Sequence, residues 1–265
     1  MSQLYAWANP LSDAPMFDHT WVTDYTPNQS SRPTGSNYWY CWGKFHSTAG
    51  NGEIGQMTGD LSMAKSLVEP NVEPANLPGQ IGSPQDGSIT YYAVDGVCHN
   101  VANQVLYATG TSEVEPLRVQ KAKGYHISTF FYTNYGLNNS AWNTLVKQYA
   151  PNVKIPSDDF IQWMDKTLGD QISKTQLDEL LLCRTAAQEG LEVLRSKVPN
   201  MTAHEVEAAV SAIFITAFDV VNKIIGPENF SLLFPSLESV PSSESEAMRW
   251  IDLDMLHKSF KCLQS

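Results

Sequence analysis

Short apolar runs separated by turn-forming residues characterise the first 150 residues of this 265-residue chain. Runs rich in aromatic and β-branched residues lie between Gly, Pro and Asn residues, which is typical of strands joined by loops. The predicted strands cover residues 4–8, 19–25, 38–45, 89–94 and 125–132. One short helix is predicted near residues 61–68, within a segment rich in Gly, Pro and Asn.

A clearer helix is predicted in the same half, beginning next to Cys98. Apolar residues from Val97 to Ala108 recur at intervals of three and four positions, which places them on one helical face. Gly110 provides a stop signal at the end of this pattern. Cys98 therefore lies in the first turn of the predicted helix.

The second half of the chain has the spacing of long amphipathic helices. Thr202 is followed three positions later by Glu205, as in a capping box at the start of a helix. Gly226 and Pro227 provide the stop signal for that helix. The predicted helices cover residues 158–168, 174–198, 203–225 and 244–263.

This change of pattern predicts two parts of the chain. Residues 1–150 are expected to form an α+β domain. Residues 151–265 are expected to form a helical region that packs on this domain or acts as its lid, and that offers a surface to a protein partner.

The charge of the chain argues against two classes of partner. Lys and Arg number 17 against 28 Asp and Glu, so the formal net charge is -11. Such a charge repels both phosphate backbones and anionic lipid surfaces, so neither nucleic acid nor a membrane is expected as a partner. The first ten residues lack the features of a signal peptide, and no apolar run is expected to approach a bilayer span. We expect a cytoplasmic protein, or one exported by a specialised secretion system.

The four cysteines are expected to be reduced thiols. Cys41, Cys98, Cys183 and Cys262 lack CxxC spacing, and a chain of this length does not need disulfides to fold. No glycine-rich phosphate loop occurs, and the spacing of Cys41, His46, Cys98 and His99 fits no standard zinc pattern. No cofactor and no metal are therefore expected.

Cys98 is the residue most suited to chemistry. The backbone amides at a helix N-terminus stabilise a thiolate, and a nearby imidazolium adds to that effect. Gly96 permits a sharp turn into the helix. The alternative is that Cys98 is a small apolar filler on a buried helix, since cysteine is often buried.

Several histidines are candidates for the accompanying base. His19 lies on a half-buried strand, facing the same side as Trp21, and His46 ends the next aromatic strand. His126 follows Cys98 in an apolar run and is the rival of His19. His99, about 100° around the helix from Cys98, is expected at the surface or as a cap.

The segment Cys98-His99-Asn100-Val101-Ala102-Asn103, continuing to Leu106 and Gly110, resembles the nucleophile helix of the circularly permuted papain-like (permuted NlpC/P60) cysteine enzymes. That superfamily includes the lecithin:retinol acyltransferase-like and PPPDE-type peptidase groups, in which a histidine on an early strand precedes the cysteine helix. The resemblance implies Cys98 as nucleophile, His19 as general base and His46 as the third catalytic residue.

The resemblance also implies a fold and an activity. The expected fold class is α+β, with a papain-like antiparallel sheet and a nucleophile helix followed by a mostly α-helical C-terminal region. The expected activity is that of a cysteine hydrolase or acyltransferase acting on an amide, ester or thioester of a small molecule or peptide. The alternative is a non-catalytic interaction protein that keeps the fold, with Cys98 as a core thiol.

Overall fold

A computed structural model gives the fold of the chain. It describes residues 3–10, 16–23, 38–40, 65–67, 91–107, 118–137 and 156–237, with single positions at 89, 154, 240, 241, 243 and 256. All structural statements below concern these residues.

The described strands lie in the first quarter of the chain. They are β1 (Gln3–Pro10), β2 (Asp18–Thr23), β3 (Tyr38–Tyr40) and β4 (Lys65–Leu67). They pair antiparallel in the order β3-β2-β1-β4. The longest pairing joins β1 to β2, with Tyr5 opposite Thr23 and Pro10 opposite Asp18.

Five α-helices account for most of the described residues. They are α1 (Cys98–Leu106), α2 (Tyr125–Tyr132), α3 (Asp159–Leu168), α4 (Lys174–Lys197) and α5 (Ala203–Leu233). Short 3-10 turns follow α3 at Gly169–Gln171 and α4 at Val198–Asn200.

Side chains at the helix starts explain where the three long helices begin. Ser173 caps α4, and Thr202 caps α5 by accepting a hydrogen bond from the Glu205 N–H. Asp158 accepts from the N–H groups of the second and third residues of α3. Each cap satisfies backbone donors that a helix start leaves without an intrahelical partner. The capping box predicted at Thr202 and Glu205 is confirmed.

Helix α2 lies at the centre of the apolar core. All of its residues except His126 are buried. Phe131 stacks on Phe214 of α5 with ring centroids 4.0 Å apart, and Phe130 contacts Phe160 of α3 at 5.2 Å. One apolar cluster extends from β1 and α1 through α2 to α5. The two predicted parts of the chain therefore share this core.

The predicted fold class is wrong. The described chain is mostly helical, so it does not fit a papain-like antiparallel-sheet fold. Residues 125–132, predicted as a strand, form helix α2. Every residue of α2 except His126 is buried, so the sequence lacks the broad polar face from which a helical period is recognised.

Three further element predictions differ from the structure. Residues 65–67, predicted within a helix, form β4 because they pair with the edge of β1. Residues 91–96, predicted partly as a strand, form turns around an isolated bridge between Tyr92 and Gly96. Helix α5 is kinked at Gly226 and continues to Leu233, because Pro227 opens a new helical segment there.

Helix α5 is long and apolar enough to cross a membrane. Its most apolar 18-residue window has a mean hydropathy of 1.7, and 39% of that window is buried inside the protein. This differs from the expectation that no segment approaches a bilayer span. A core helix of a water-soluble protein has the same properties, so the cytoplasmic location stays a prediction.

Candidate functional site

Cys98 is the first residue of α1 and faces β2. Its side chain is buried, with 3% of the residue exposed. Helix α1 packs against β2, and the Cys98 Sγ lies 3.8 Å from the backbone carbonyl oxygen of Asp18. The structure thus brings the predicted nucleophile to the strand residue directly before His19.

Two hydrogen bonds hold the start of β2 in place. The Asp18 N–H donates to the Lys123 carbonyl oxygen at 3.0 Å, and the Lys123 N–H donates to the Asp18 carboxylate at 2.8 Å. Lys123 lies in the loop that leads into α2. The strand that carries His19 is therefore fixed to the loop before the central helix as well as to α1.

The turn before Cys98 is held by close packing. The Val97 N–H donates to Asn100 Oδ1 at 2.9 Å, which caps the helix start. A Cβ on Gly96 would lie 2.6 Å from Ile89 Cδ1 and 3.1 Å from Asn100 Oδ1. A side chain at position 96 would thus require Ile89 and Asn100 to shift, so close packing favours glycine here, whereas its φ lies outside the left-handed region that would require one.

His19 is buried on β2 and is neutral near pH 7. Its ring stacks on Trp21 at 5.5 Å, which confirms the prediction that the two side chains face the same way. Burial, together with the charge of His99, lowers the pKa of His19 to about 3. A neutral imidazole has a lone pair with which to accept a proton.

His99 is fully buried, so its predicted place at the surface is wrong. Its Nε2 lies 2.9 Å from the Asp18 carbonyl oxygen, the same oxygen that Cys98 approaches. Its Nδ1 lies 2.9 Å from Ser128 Oγ on α2. Burial lowers the pKa of His99 to about 4, although the hydrogen bond to Asp18 opposes this shift. His99 therefore joins α1 to both β2 and α2.

His126, the rival base, lies on α2 and is partly buried. Its ring stacks on Trp163 of α3 with centroids 3.8 Å apart and planes within 4°. Burial and the charge of Lys166 lower the pKa of His126 to about 4. The His126 ring is therefore held in contact with α3 by its stacking on Trp163.

The remaining predicted residues divide into two groups. His46, the expected third catalytic residue, lies outside the described residues, as do Cys41 and Cys262. Cys183 lies on α4, where its Sγ approaches the Ala217 carbonyl oxygen of α5 at 3.6 Å. Within the described ranges, no three His, Cys, Asp or Glu side chains form a group that could hold a metal ion.

A buried polar network behind α1 is missed by the sequence analysis. Tyr125 of α2 donates to the Asp159 carboxylate at 2.6 Å and accepts from Asn103 Nδ2 at 2.9 Å. Arg118 donates its Nε–H to the same carboxylate at 2.8 Å. The spacing of apolar residues gives no signal for this network, because Asn103 lies with His99 and Asn100 on the side of α1 opposite its apolar residues.

Comparisons of the chain with protein-family models, with curated proteins and with solved structures find no match. The function is therefore inferred from the chemistry of the residues around Cys98.

Proposed function

We propose that the protein is a cysteine-dependent hydrolase or acyltransferase, with Cys98 as nucleophile and His19 as general base. The observation that carries the proposal is the position of the Cys98 thiol at the start of α1, 3.8 Å from the Asp18 carbonyl oxygen. His19 is the next residue along β2. A thiol at a helix N-terminus, with an imidazole as its base, is a known arrangement for nucleophilic catalysis.

The proposed reaction transfers an acyl group in two steps. His19 takes the proton of the Cys98 thiol while the sulfur bonds to the carbonyl carbon of an amide, ester or thioester. The bond to the leaving group then breaks, and the imidazolium returns its proton to that group. Water, or an amine or alcohol, attacks the resulting thioester with His19 as base, which releases the acyl product and restores the thiol.

The helix and the imidazole have separate roles in this reaction. The amides at the N-terminus of α1 stabilise the oxyanion of the tetrahedral intermediate. Burial holds His19 neutral and ready to accept a proton, but it also makes the imidazole a weaker base. The thiolate that the proposed reaction forms on Cys98 would oppose that effect, because a nearby negative charge favours the imidazolium.

A second candidate function rests on the burial of Cys98. The residue is 3% exposed and belongs to the apolar cluster that continues through α2 and α5. A non-catalytic interaction protein, in which Cys98 is a core thiol, accounts for this burial without any reaction. The two candidates differ in whether Cys98 forms a covalent acyl intermediate.

The test is to trap the acyl-enzyme. The full chain is incubated with p-nitrophenyl acetate, and the acetylated residue is mapped by mass spectrometry. We expect acetyl on Cys98 that hydroxylamine removes, as a thioester requires. Cys98→Ala should abolish this acetylation, and His19→Gln should slow it by about 100-fold.

Cys183→Ala is the matched control, since Cys183 is a thiol at the interface of α4 and α5. We expect it to be acetylated at Cys98 at the rate of the unmodified chain. Acetylation of other residues, with Cys98 unmodified, would rule out the enzyme and leave the non-catalytic function.

A further inference from the structure

The carbonyl oxygen of Asp18 has two side-chain donors from α1. His99 Nε2 lies 2.9 Å from this oxygen, and Cys98 Sγ lies 3.8 Å from it. A carbonyl oxygen only accepts hydrogen bonds, so the Nε2 of His99 must carry the hydrogen. His99 therefore competes with the Cys98 thiol as a donor to one acceptor, and its bond is the shorter.

The other nitrogen of His99 faces Ser128. Its Nδ1 lies 2.9 Å from Ser128 Oγ, and that hydroxyl also lies 2.8 Å from the Tyr125 carbonyl oxygen. In the neutral ring the Nδ1 lone pair accepts from the Ser128 hydroxyl, which is then shared with Tyr125. Both ring nitrogens are thereby used to fix the imidazole between β2 and α2.

We propose that His99 is a positioning residue of this site, which holds β2, and with it His19, against the end of α1 that carries Cys98. The inference rests on the proposed function and adds a residue to it. The hydrogen bond from His99 also weakens the Asp18 carbonyl as an acceptor for the Cys98 thiol. The proton of Cys98 is then available to His19 instead of being held by the backbone.

Two substitutions separate this role from simple packing. The amide nitrogen of Gln lies near the position of Nε2, so His99→Gln keeps a donor for the Asp18 carbonyl. The shorter Asn places its amide near Nδ1, so His99→Asn keeps a partner for Ser128 and loses the donor to Asp18. The variants are alike in polarity, and the main difference between them is the hydrogen bond in question.

The readout is the pH dependence of Cys98 acetylation in the full-length variants, with urea unfolding to confirm that both fold. We expect His99→Gln to stay within about twofold of the unmodified chain at every pH. His99→Asn should shift the midpoint of the pH dependence upward by about one pH unit, because the Asp18 carbonyl then holds the proton of the Cys98 thiol more strongly. At pH 7 this slows acetylation by about tenfold.

The outcomes separate the inference from the proposed function. If Cys98 is acetylated with dependence on His19, but folded His99→Gln and His99→Asn behave alike, the positioning role is wrong and the proposed function stands. If Cys98 of the unmodified chain is not acetylated at all, the proposed function fails and the positioning role fails with it.

Discussion

At the scale of single residues, the buried charged pair of Arg118 and Asp159 is expected to affect stability most strongly. Asp159 is 4% exposed, and its carboxylate accepts from Arg118, Gln120 and Tyr125. The side chain of Arg118 is 5% exposed, so its guanidinium has little water to replace a lost partner. This pair holds the loop before α2 to the start of α3.

Replacing Asp159 by Asn should therefore destabilise the protein strongly. The substitution keeps the shape but removes the negative charge that faces the buried Arg118 guanidinium, which costs about 3–5 kcal/mol of unfolding free energy. Urea denaturation measures this change. Asp178→Asn is the control, because Asp178 pairs with Lys174 at an exposed position and such pairs contribute less than about 1 kcal/mol. Equal effects of the two substitutions would contradict this account.

At the scale of elements, two glycines within helices differ in whether the backbone there tolerates a side chain. Gly226 has φ 80° and ψ 162° at the kink of α5, a conformation that other residues adopt only with strain. Gly190 lies within α4, and a Cβ there would lie 3.6 Å from Ile213 Cδ1, an ordinary contact distance.

Alanine at these two positions should shift stability in opposite directions. Gly226→Ala should lower the unfolding free energy by about 1–3 kcal/mol because of its positive φ. Gly190→Ala should raise it by about 0.5–1 kcal/mol, since alanine favours the helix and restricts the unfolded chain. Thermal or urea unfolding of both variants tests this. A stabilising Gly226→Ala would show that the kink does not form.

The elements also show how far sequence reasoning reaches. Helices α3, α4 and α5 begin where the capping residues Asp158, Ser173 and Thr202 stand, so their starts can be read from local chemistry. Helix α2 cannot be read in this way, because tertiary contacts bury nearly its whole circumference and remove the periodic pattern.

The candidate site was predictable only in part, because local spacing is visible in the sequence whereas burial by distant segments is not. The position of Cys98 at a helix start follows from the local spacing of apolar residues. The burial of His99 does not, because it depends on β2, which is some 80 residues away in sequence, and on α2. The network of Asn103, Tyr125 and Asp159 likewise requires three distant segments to meet.

At the scale of the whole molecule, three histidines with lowered pKa values couple folding to pH. His19, His99 and His126 are neutral in the folded state, with pKa values of about 3, 4 and 4. In the unfolded chain each has a pKa of about 6.5. The unfolded state therefore binds more protons between about pH 4 and 6.5, and stability falls as the pH falls through this window.

The unfolding free energy should decrease on acidification from pH 7.5 to 5. Each buried histidine contributes a slope that approaches about 1.4 kcal/mol per pH unit below pH 6.5. Urea unfolding across this range measures the slope, which His99→Gln should reduce. A free energy that rises on acidification would contradict the burial of neutral imidazoles.

The central claim is that His19 activates Cys98, and competitive alkylation tests it most directly. Native protein is treated with limiting iodoacetamide at pH 7, and the labelling of Cys98 and Cys183 is compared by peptide mapping. Burial raises the pKa of the Cys183 thiol, so it serves as an internal reference for an unactivated cysteine. We predict that Cys98 is labelled first and that His19→Gln slows its labelling by about 100-fold. Faster labelling of Cys183, or a Cys98 rate independent of His19, would contradict the account.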